Sequence, residues 1–451
     1  MQIVIGRESD VSLFSREFRG LSIGAIGLCS MIAFEAIGVA AGMPAVAAAL
    51  DGLALYALAF AGTLAGSVVA MVWAGLDCDR RGPLRSMASG MLMFAAGLLL
   101  AGLAGSMEML VAARIVQGLG VGALSVAMYV AAARALPAEL HPRLFALFAT
   151  AWVVPAVVGP AISGWVVEQW GWRWLFLGIL LLLLPTTVLI LPPLRATRER
   201  SDSKARSPRL LPWAILGACS CVALSMSAYA ADCTPLVVAL SLPALFLAAH
   251  RLLPAGTLRM ARGLPTVIAL RGLNSSAFFL SEAFVPLWLH QQRGWSITAA
   301  GLALTGGALS WSLGSHLQSR MTRDTTRRVW LLRGCLLLTT GIALCAATVV
   351  GLLPDWSMLA GWSIAGLGMG ISFPMFGVLT LKLAPREQQG TYSSALQLAA
   401  ALATSATLAA GGLVFSLLQA RQPVPAFASV YLLAMLLAGI ARAGAGRAWP
   451  A

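Results

Sequence analysis

The chain has 451 residues, of which 59% are hydrophobic and only 11% charged, and it carries a net charge of +14. This composition excludes an ordinary soluble globular protein, in which about 25% of residues are charged. The basic residues lie in short clusters between apolar runs, which is typical of membrane orientation and not of nucleic-acid binding. Unbroken apolar runs such as Leu175 to Leu191 exclude an outer-membrane β-barrel, whose segments alternate. Composition therefore predicts an all-α polytopic membrane protein.

Six apolar stretches come first along the chain, each long enough to cross about 30 Å of hydrocarbon. We predict spans near residues 21–43, 55–76, 86–106, 109–133, 144–167 and 174–192. A polar break from Arg195 to Arg209 follows and holds six basic residues and three serines. Such a segment cannot bury itself, so it predicts a cytoplasmic linker.

Two shorter apolar stretches, Leu211 to Ala231 and Leu236 to Ala249, predict an inserted two-helix hairpin. Six more spans are predicted near residues 265–289, 297–319, 329–353, 357–381, 391–418 and 426–441. We therefore expect fourteen spans in three parts: a six-helix bundle in 1–193, the linker and hairpin in 194–264, and a second six-helix bundle in 265–451. Twelve spans, with the hairpin looping back, is the alternative.

The distribution of basic residues supports this topology. With the N-terminus inside, 26 of the 31 lysines and arginines fall in cytoplasmic segments, and removing one hairpin helix would invert the second half against this bias. We expect a multi-pass protein of the cell membrane with both termini in the cytoplasm. Two six-helix halves are typical of transporters with a central site at the midplane.

Glu35 is the first chemically informative residue, because no other residue from Leu21 to Leu50 is charged. A carboxylate inside the membrane costs roughly 3 kcal/mol on insertion scales, so it predicts a functional site. A protonated, hydrogen-bonded packing residue is the alternative.

Span four opens with an arginine and a glutamine, Arg114 and Gln117, which share one helix face at about 100° per residue. At 1.5 Å per residue, Arg114 lies roughly 9 Å and Glu35 roughly 13 Å below the outer edge, so the two side chains can meet. A nearby arginine favours the charged carboxylate and burial favours the neutral one, so the pair could tune proton release to the conformational state. Snorkelling of Arg114 to the interface is the alternative.

The turn between spans two and three fits a G-x-x-x-D-R-x-G pattern at Gly75, Asp79, Arg80 and Gly82. Its glycines permit close helix approach and a tight turn, and Asp79 can accept hydrogen bonds or pair with an arginine. This pattern resembles the signature loop of the major facilitator superfamily, and the R-x-x-Q-G-x-G pattern beginning at Arg114 resembles a second motif of that family. The resemblance implies the major facilitator fold, with these four residues latching the inward gate. An ordinary charged loop is the alternative.

Two further stretches resemble the fourteen-helix drug:proton antiporters of that superfamily. Glu35 lies nine residues before Pro44, as an acid does in their first helix, and span five resembles the G-x-x-x-G-P-x-x-G-G motif of exporters at Gly159, Pro160 and Gly164. Proline and glycine let this span bend and pack closely, so these three residues are gating candidates. A merely kinked helix is the alternative.

Span nine carries a polar stripe in the second half. Arg271, Asn274, Phe278 and Glu282 fall within an arc of about 80°. We expect this stripe to line the cavity, with Glu282 as a second proton or cation site or, alternatively, a structural hydrogen-bonding residue. The residues expected to bind substrate are Met31, Gln117, Trp152, Asn274 and Phe278, with Trp311 as a further apolar wall.

An odd count of seven cysteines and four scattered histidines predict neither a disulfide framework nor a metal site. The chain has no G-x-x-x-x-G-K-[ST] loop to bind ATP. We therefore expect no cofactor and no enzymatic activity.

The preferred hypothesis is a proton-coupled secondary active exporter of amphipathic or cationic organic compounds, with Glu35, Arg114 and Glu282 coupling protons. Its partners would be a small organic substrate, protons and the lipid bilayer, and we expect a monomer. The first alternative is an exporter of an endogenous lipid or secreted metabolite. A receptor or scaffold without turnover is the alternative from another class.

Overall fold

The apolar runs form helices because, in lipid, every backbone polar group must find a partner within its own segment. The computed structural model describes residues 13–15, 18–136, 140–196, 210–227, 234–320, 324–385 and 388–449. Its α-helices are α1 (Arg19–Ala49), α2 (Tyr56–Arg81), α3 (Pro83–Gly102), α4 (Met107–Ala135), α5 (His141–Trp170), α6 (Trp174–Ala196), α7 (Leu211–Met226), α8 (Thr234–Leu252), α9 (Leu264–Arg293), α10 (Ile297–Ser319), α11 (Asp324–Val349), α12 (Trp356–Leu383), α13 (Gln389–Leu418) and α14 (Pro423–Gly444).

The described helices form the expected all-α fold of six, two and six. Helices α1–α6 pack on one another as the N-bundle, and α9–α14 pack as the C-bundle. The hairpin α7–α8 packs against α2 and α13, with Ala214 of α7 buried among Val68 and Leu402. The linker predicted at 195–209 lies outside the described residues except for its first two residues, which continue α6.

Eleven of the described helices are long and apolar enough to cross a membrane, against the fourteen spans expected. Helix α7 has 16 residues, about 24 Å at 1.5 Å per residue, and is short of about 30 Å of hydrocarbon. Helices α9 and α10 are long enough but carry many polar or small residues. Most of α9 is buried among other helices, so it does not need an apolar surface.

Small residues set the same close packing in both bundles. A side chain at Gly118 of α4 would collide with the carbonyl oxygen of Thr63 on α2. In the C-bundle, one at Gly366 of α12 would collide with the carbonyl oxygen of Gly307 on α10. These glycines let the backbones approach closely, and their matching positions show that the two bundles repeat one design.

Two ends of the molecule are named by their turns. The Gly82 end carries the turn between α2 and α3, where Gly82 has φ +81° and Pro83 begins α3. Glycine adopts this left-handed conformation without strain, and proline is favoured in a first helical turn. The Asp51 end, on the opposite side, carries the turn between α1 and α2.

Candidate functional site

A buried ion pair lies inside the N-bundle. Glu35 of α1 and Arg114 of α4 are only 2% and 3% exposed, and Arg114 Nη1 donates to Glu35 Oε1. Arg114 Nη1 also donates to Oε1 of Gln117 at 2.7 Å, and Arg114 Nε donates to the carbonyl oxygen of Ala59 at 3.1 Å. The structure thus brings together the two charges that the sequence placed at similar depths.

This arrangement makes the two charges dependent on each other. Removing either member of a buried pair is strongly destabilising, because the remaining charge is left without compensation. Protonating Glu35 would remove its charge and free Arg114 to bond elsewhere. The Nε2 atom of Gln117 is buried without a hydrogen-bond partner among the described residues, so the network has an unused donor beside the pair.

The second acid, Glu282, lies on α9 and is half-buried. Within the described part of the chain, no hydrogen bond or ion pair to Glu282 is found. The structure does not bring it into the Glu35 network, since the described partners of Arg114 are Glu35, Gln117 and Ala59.

The predicted substrate residues fall in different surroundings. Trp152 of α5 is 43% exposed, whereas Met31 is buried and its sulfur accepts a hydrogen bond from Thr186 Oγ1 at 3.2 Å. Gln117 is fully buried in the ion-pair network.

Asn274, a member of the predicted polar stripe, lies inside the C-bundle. It is fully buried, and its Nδ2 donates to Ser372 Oγ at 3.2 Å and lies 3.6 Å from Cys335 Sγ. Its amide therefore lies in a polar layer of the C-bundle, between a cysteine of α11 and a serine of α12. Asn274 therefore holds this bundle together.

An aromatic cluster surrounds Phe278 in the C-bundle. Phe278 stacks on Trp362 with ring centroids 4.5 Å apart and meets Trp311 edge-on at 5.1 Å. Trp311 also lies 5.0 Å from Phe373 and 6.4 Å from Phe279. Phe279, Trp311 and Phe373 are each half-buried, so their rings leave surface for a ligand. Sequence reasoning missed Phe279, Trp362 and Phe373, although Phe279 adjoins Phe278 and Phe373 precedes a helix proline.

In the signature loop at the Gly82 end, the acid with described contacts is Asp77. Asp77 is buried, accepts a hydrogen bond from Ser86 Oγ at 3.0 Å, and lies 3.8 Å and 3.5 Å from the guanidinium nitrogens of Arg81 and Arg85. Asp79 is half-buried.

The other predicted members of this loop lie where α2 ends. Gly75 and Gly82 are buried, and Arg80 is exposed. Arg134, in the last turn of α4, donates to the carbonyl oxygen of Cys78 at 3.1 Å. A cation at a helix C-terminus is favourable, so Arg134 fastens α4 to the end of α2.

The glycine and proline residues of α5 face two neighbours. Gly159 faces Phe34 and Ile37 of α1, whereas Gly164 is so close to α10 that a side chain would collide with Thr298. The carbonyl of Pro160 faces Gly301 of α10. Two of the three predicted gating residues of this span therefore form the contact between the bundles.

Four hydrogen bonds cross between the bundles in the described part of the chain. They run from Tyr56 Oη to Ala283 O at 2.5 Å, from Ser405 Oγ to Ala61 O at 2.8 Å, from Thr298 N to Glu168 Oε1 at 2.9 Å, and from Thr305 Oγ1 to Val157 O at 3.4 Å. All four lie in the middle of the molecule or toward the Asp51 end. The bundles are therefore joined at that end.

Among the described residues, no group of three or more histidine, cysteine, aspartate or glutamate side chains could hold a metal ion. The charged groups in the interior include the buried pair of Glu35 and Arg114 and the buried Arg271, which lies beside the aromatic cluster. Two helical bundles around such groups define the architecture of a membrane transporter.

Residues 23–408 match the family model described as the Major Facilitator Superfamily, which also matches residues 266–447. The chain belongs to this superfamily. It is a multi-pass membrane protein of the transporter class.

Curated relatives point in the same direction. An uncharacterized MFS-type transporter of Mycobacterium tuberculosis (strain H37Rv) is 33% identical over 134 residues, which is 30% of this chain and 20% of that protein's own length. A protein of the same strain named "Probable multidrug-efflux transporter" is 27% identical over 74% of each chain. "Multidrug efflux pump SdrM" of Staphylococcus aureus is 22% identical over 79% of this chain and 80% of its own.

Solved structures show the same fold. A D-xylose-proton symporter aligns with a TM-score of 0.67 and 14% identity, covering 96% of this chain and 98% of its own. A POT family transporter in complex with a thioalcohol-conjugated peptide aligns with a TM-score of 0.68 and 16% identity over 94% of each chain. At these identities the likeness concerns the fold alone.

Proposed function

We propose that this protein is a proton-coupled secondary active transporter that exports amphipathic or cationic organic compounds by alternating access. The observation that carries the proposal is the buried pair of Glu35 and Arg114. Relatives named as multidrug-efflux proteins support the substrate class.

The pair supports proton coupling for an electrostatic reason. A charge buried without a partner is costly, so Glu35 is favoured as a carboxylate while Arg114 bonds it and as a neutral acid when Arg114 moves away. Helix α4 packs extensively on α2 and α3 but touches α1 only slightly, so a small shift of α1 against α4 would break the ion pair. A proton would then bind in one conformation and leave in the other.

The cross-bundle bonds support alternating access. Because they lie in the middle and toward the Asp51 end, substrate would enter from the Gly82 end in this conformation. The basic residues Arg80, Arg81 and Arg85 at the Gly82 end favour the cytoplasm for that side. We infer that the structure represents the cytoplasm-facing state, with both termini in the cytoplasm.

The cargo site is assigned to the aromatic cluster of the C-bundle and to the exposed Trp152 of the N-bundle. Large rings offer apolar area to many amphipathic molecules and attract cations over their faces. Phe279, Trp311 and Phe373 are half-buried, so part of each ring is exposed. Cargo could bind to these ring surfaces without a specific polar contact.

Proton movement in proteoliposomes tests the proposal. Ethidium added to vesicles that hold the purified protein and a trapped pH dye should drive proton flux, and Glu35→Gln should abolish the flux because glutamine cannot carry the proton. Glu108→Gln makes the same chemical change at an exposed site of α4 and should leave the flux intact. An unaltered flux in Glu35→Gln would refute the role of Glu35, and Glu282→Gln run alongside would show whether the second acid carries it.

A further inference from the structure

Arg271 of α9 is a buried cation without a carboxylate partner in the described part of the chain. Its side chain is 6% exposed. Nη1 donates to the carbonyl oxygen of Phe373 at 3.1 Å, and Nη2 donates to Oε1 of Gln397 at 3.1 Å. Nε is buried and has no hydrogen-bond partner among the described residues. The described acceptors around this positive charge are therefore two neutral oxygens.

The free Nε matters because of the shape of the guanidinium. Nε and Nη2 point along the same edge of the plane, which is the edge that binds a carboxylate side-on through two parallel hydrogen bonds. Gln397 accepts at one half of this edge with a neutral amide oxygen, and the Nε donor of the other half has no acceptor among the described residues. Gln397 is itself exposed, so an incoming anion can displace it without breaking the core.

Aromatic side chains lie around the guanidinium of Arg271. The central carbon of the guanidinium lies over the ring of Phe373, 3.1 Å from its centroid, and Phe373 contacts Trp311 of the aromatic cluster. From the N-bundle, the half-exposed Tyr129 of α4 lies close enough to interact electrostatically with Arg271. The arginine thus stands beside the aromatic cluster, between the two bundles.

The charge of Arg271 is not cancelled by the other buried groups. Arg114 is already neutralised by Glu35. Glu282 is eleven residues from Arg271 along α9, about 16 Å at 1.5 Å per residue, which is too far for an ion pair. An anion that reaches Arg271 therefore meets a positive charge that no described carboxylate compensates.

We propose that Arg271 binds the acidic group of an amphipathic aromatic compound, which displaces Gln397, while the ring of the compound packs against Phe373 and Trp311. The inference rests on the proposed function and adds to its substrates amphipathic compounds with a carboxylate or a similar planar anion beside an aromatic ring. Arg271 supplies the two donors of the side-on edge, and Phe373 lies against the guanidinium.

Three probes that share one ring system test the inference: naphthalene-2-carboxylate, its neutral carboxamide and 2-naphthylmethylammonium. Binding to the purified full chain is measured by calorimetry. We expect the carboxylate to bind at least about tenfold more tightly than the carboxamide. A hydrogen bond to a charged group is stronger than one between neutral groups by about 1.4 kcal/mol, which corresponds to a tenfold change in the dissociation constant.

Gln397→Glu is the sharpest variant. It places an internal carboxylate on the same edge of Arg271, so the preference for the carboxylate probe should disappear while folding is kept. Gln397→Ala, which only removes the amide, should keep the preference. Arg271→Lys retains charge but loses the planar edge and should reduce the preference, whereas Arg421→Gln removes an exposed arginine and should not.

Equal binding of the carboxylate and the carboxamide to the unaltered protein would overturn the inference, as would a full preference in Gln397→Glu. Proton flux driven by ethidium, measured on the same preparation, separates this outcome from failure of the proposed function. Normal flux without a carboxylate preference overturns the anion site alone. Carboxylate selectivity without flux for any probe supports the site and overturns the transport proposal.

Discussion

Tyr56→Phe tests whether the cross-bundle hydrogen bonds hold the Asp51 end closed. Tyr56 is fully buried, and its hydroxyl donates to the carbonyl oxygen of Ala283 on the opposite bundle at 2.5 Å. Its ring meets Phe284 edge-on at 5.4 Å and lies 5.5 Å from Phe60, contacts that phenylalanine keeps. The substitution therefore removes one hydrogen bond and little else.

The size of the effect follows from the two states that are compared. In the closed state the carbonyl of Ala283 loses its donor, whereas in the open state water replaces the hydroxyl. A hydrogen bond of this kind contributes about 1 kcal/mol, which corresponds to about a fivefold change in a two-state equilibrium. Tyr56→Phe should therefore raise the population that is open at the Asp51 end about fivefold.

Amide hydrogen exchange at the start of α10 reports this opening. The Thr298 amide lies in the first helical turn and donates to Glu168 across the bundles, so it is protected only while the Asp51 end is closed. We expect exchange of a peptide spanning residues 295–302 to accelerate about fivefold in Tyr56→Phe.

Tyr431→Phe is the matched control for this experiment. Tyr431 is equally buried, but the hydrogen bond described for its hydroxyl is a weak one to the sulfur of Met358 within the C-bundle, at 4.0 Å. It should leave exchange at residues 295–302 unchanged. Unchanged exchange in Tyr56→Phe, or the same acceleration in both variants, would refute the reasoning.

Two further predictions concern packing in the N-bundle. Gly118→Val should lower the thermal unfolding midpoint clearly more than Gly178→Val. A side chain at position 118 collides with the Thr63 carbonyl, whereas position 178 faces open space. Equal midpoints of the two variants would contradict this prediction. Asp77→Ala should lower the midpoint by an amount consistent with about 1–3 kcal/mol, because it leaves the buried Ser86 hydroxyl without its acceptor. Asp79→Ala should lower the midpoint less. A larger loss in Asp79→Ala than in Asp77→Ala would contradict the arrangement described for the signature loop.

Much of the fold could be predicted from the sequence, because apolar runs and turn residues are local signals. The six, two and six helices follow from run length, and Gly82 and Pro83 mark the turn that the structure contains. The contact between Glu35 and Arg114 could be anticipated as well, since depth along a helix is simple arithmetic and few charges lie at that depth.

The rest depends on rotation of helices about their axes and on tertiary contacts. Asn274 shares an arc with Phe278 on α9, yet Asn274 contacts α11 and α12 whereas Phe278 contacts α10 and α12. Whether Asp77 or Asp79 is buried depends on Ser86, nine residues away on the next helix. The aromatic cluster draws residues from three helices, and no sequence spacing brings them together.

Proton-driven accumulation tests the central claim most directly, since it separates coupling from transport. In proteoliposomes with an acidic interior, the unaltered protein should accumulate ethidium above its external concentration as protons leave. Glu35→Gln should fail to accumulate ethidium but should still exchange labelled for unlabelled ethidium at equal concentrations, because the substitution removes the proton carrier and leaves the cargo site. Accumulation by Glu35→Gln to the level of the unaltered protein would contradict the assignment of proton coupling to the Glu35 and Arg114 pair.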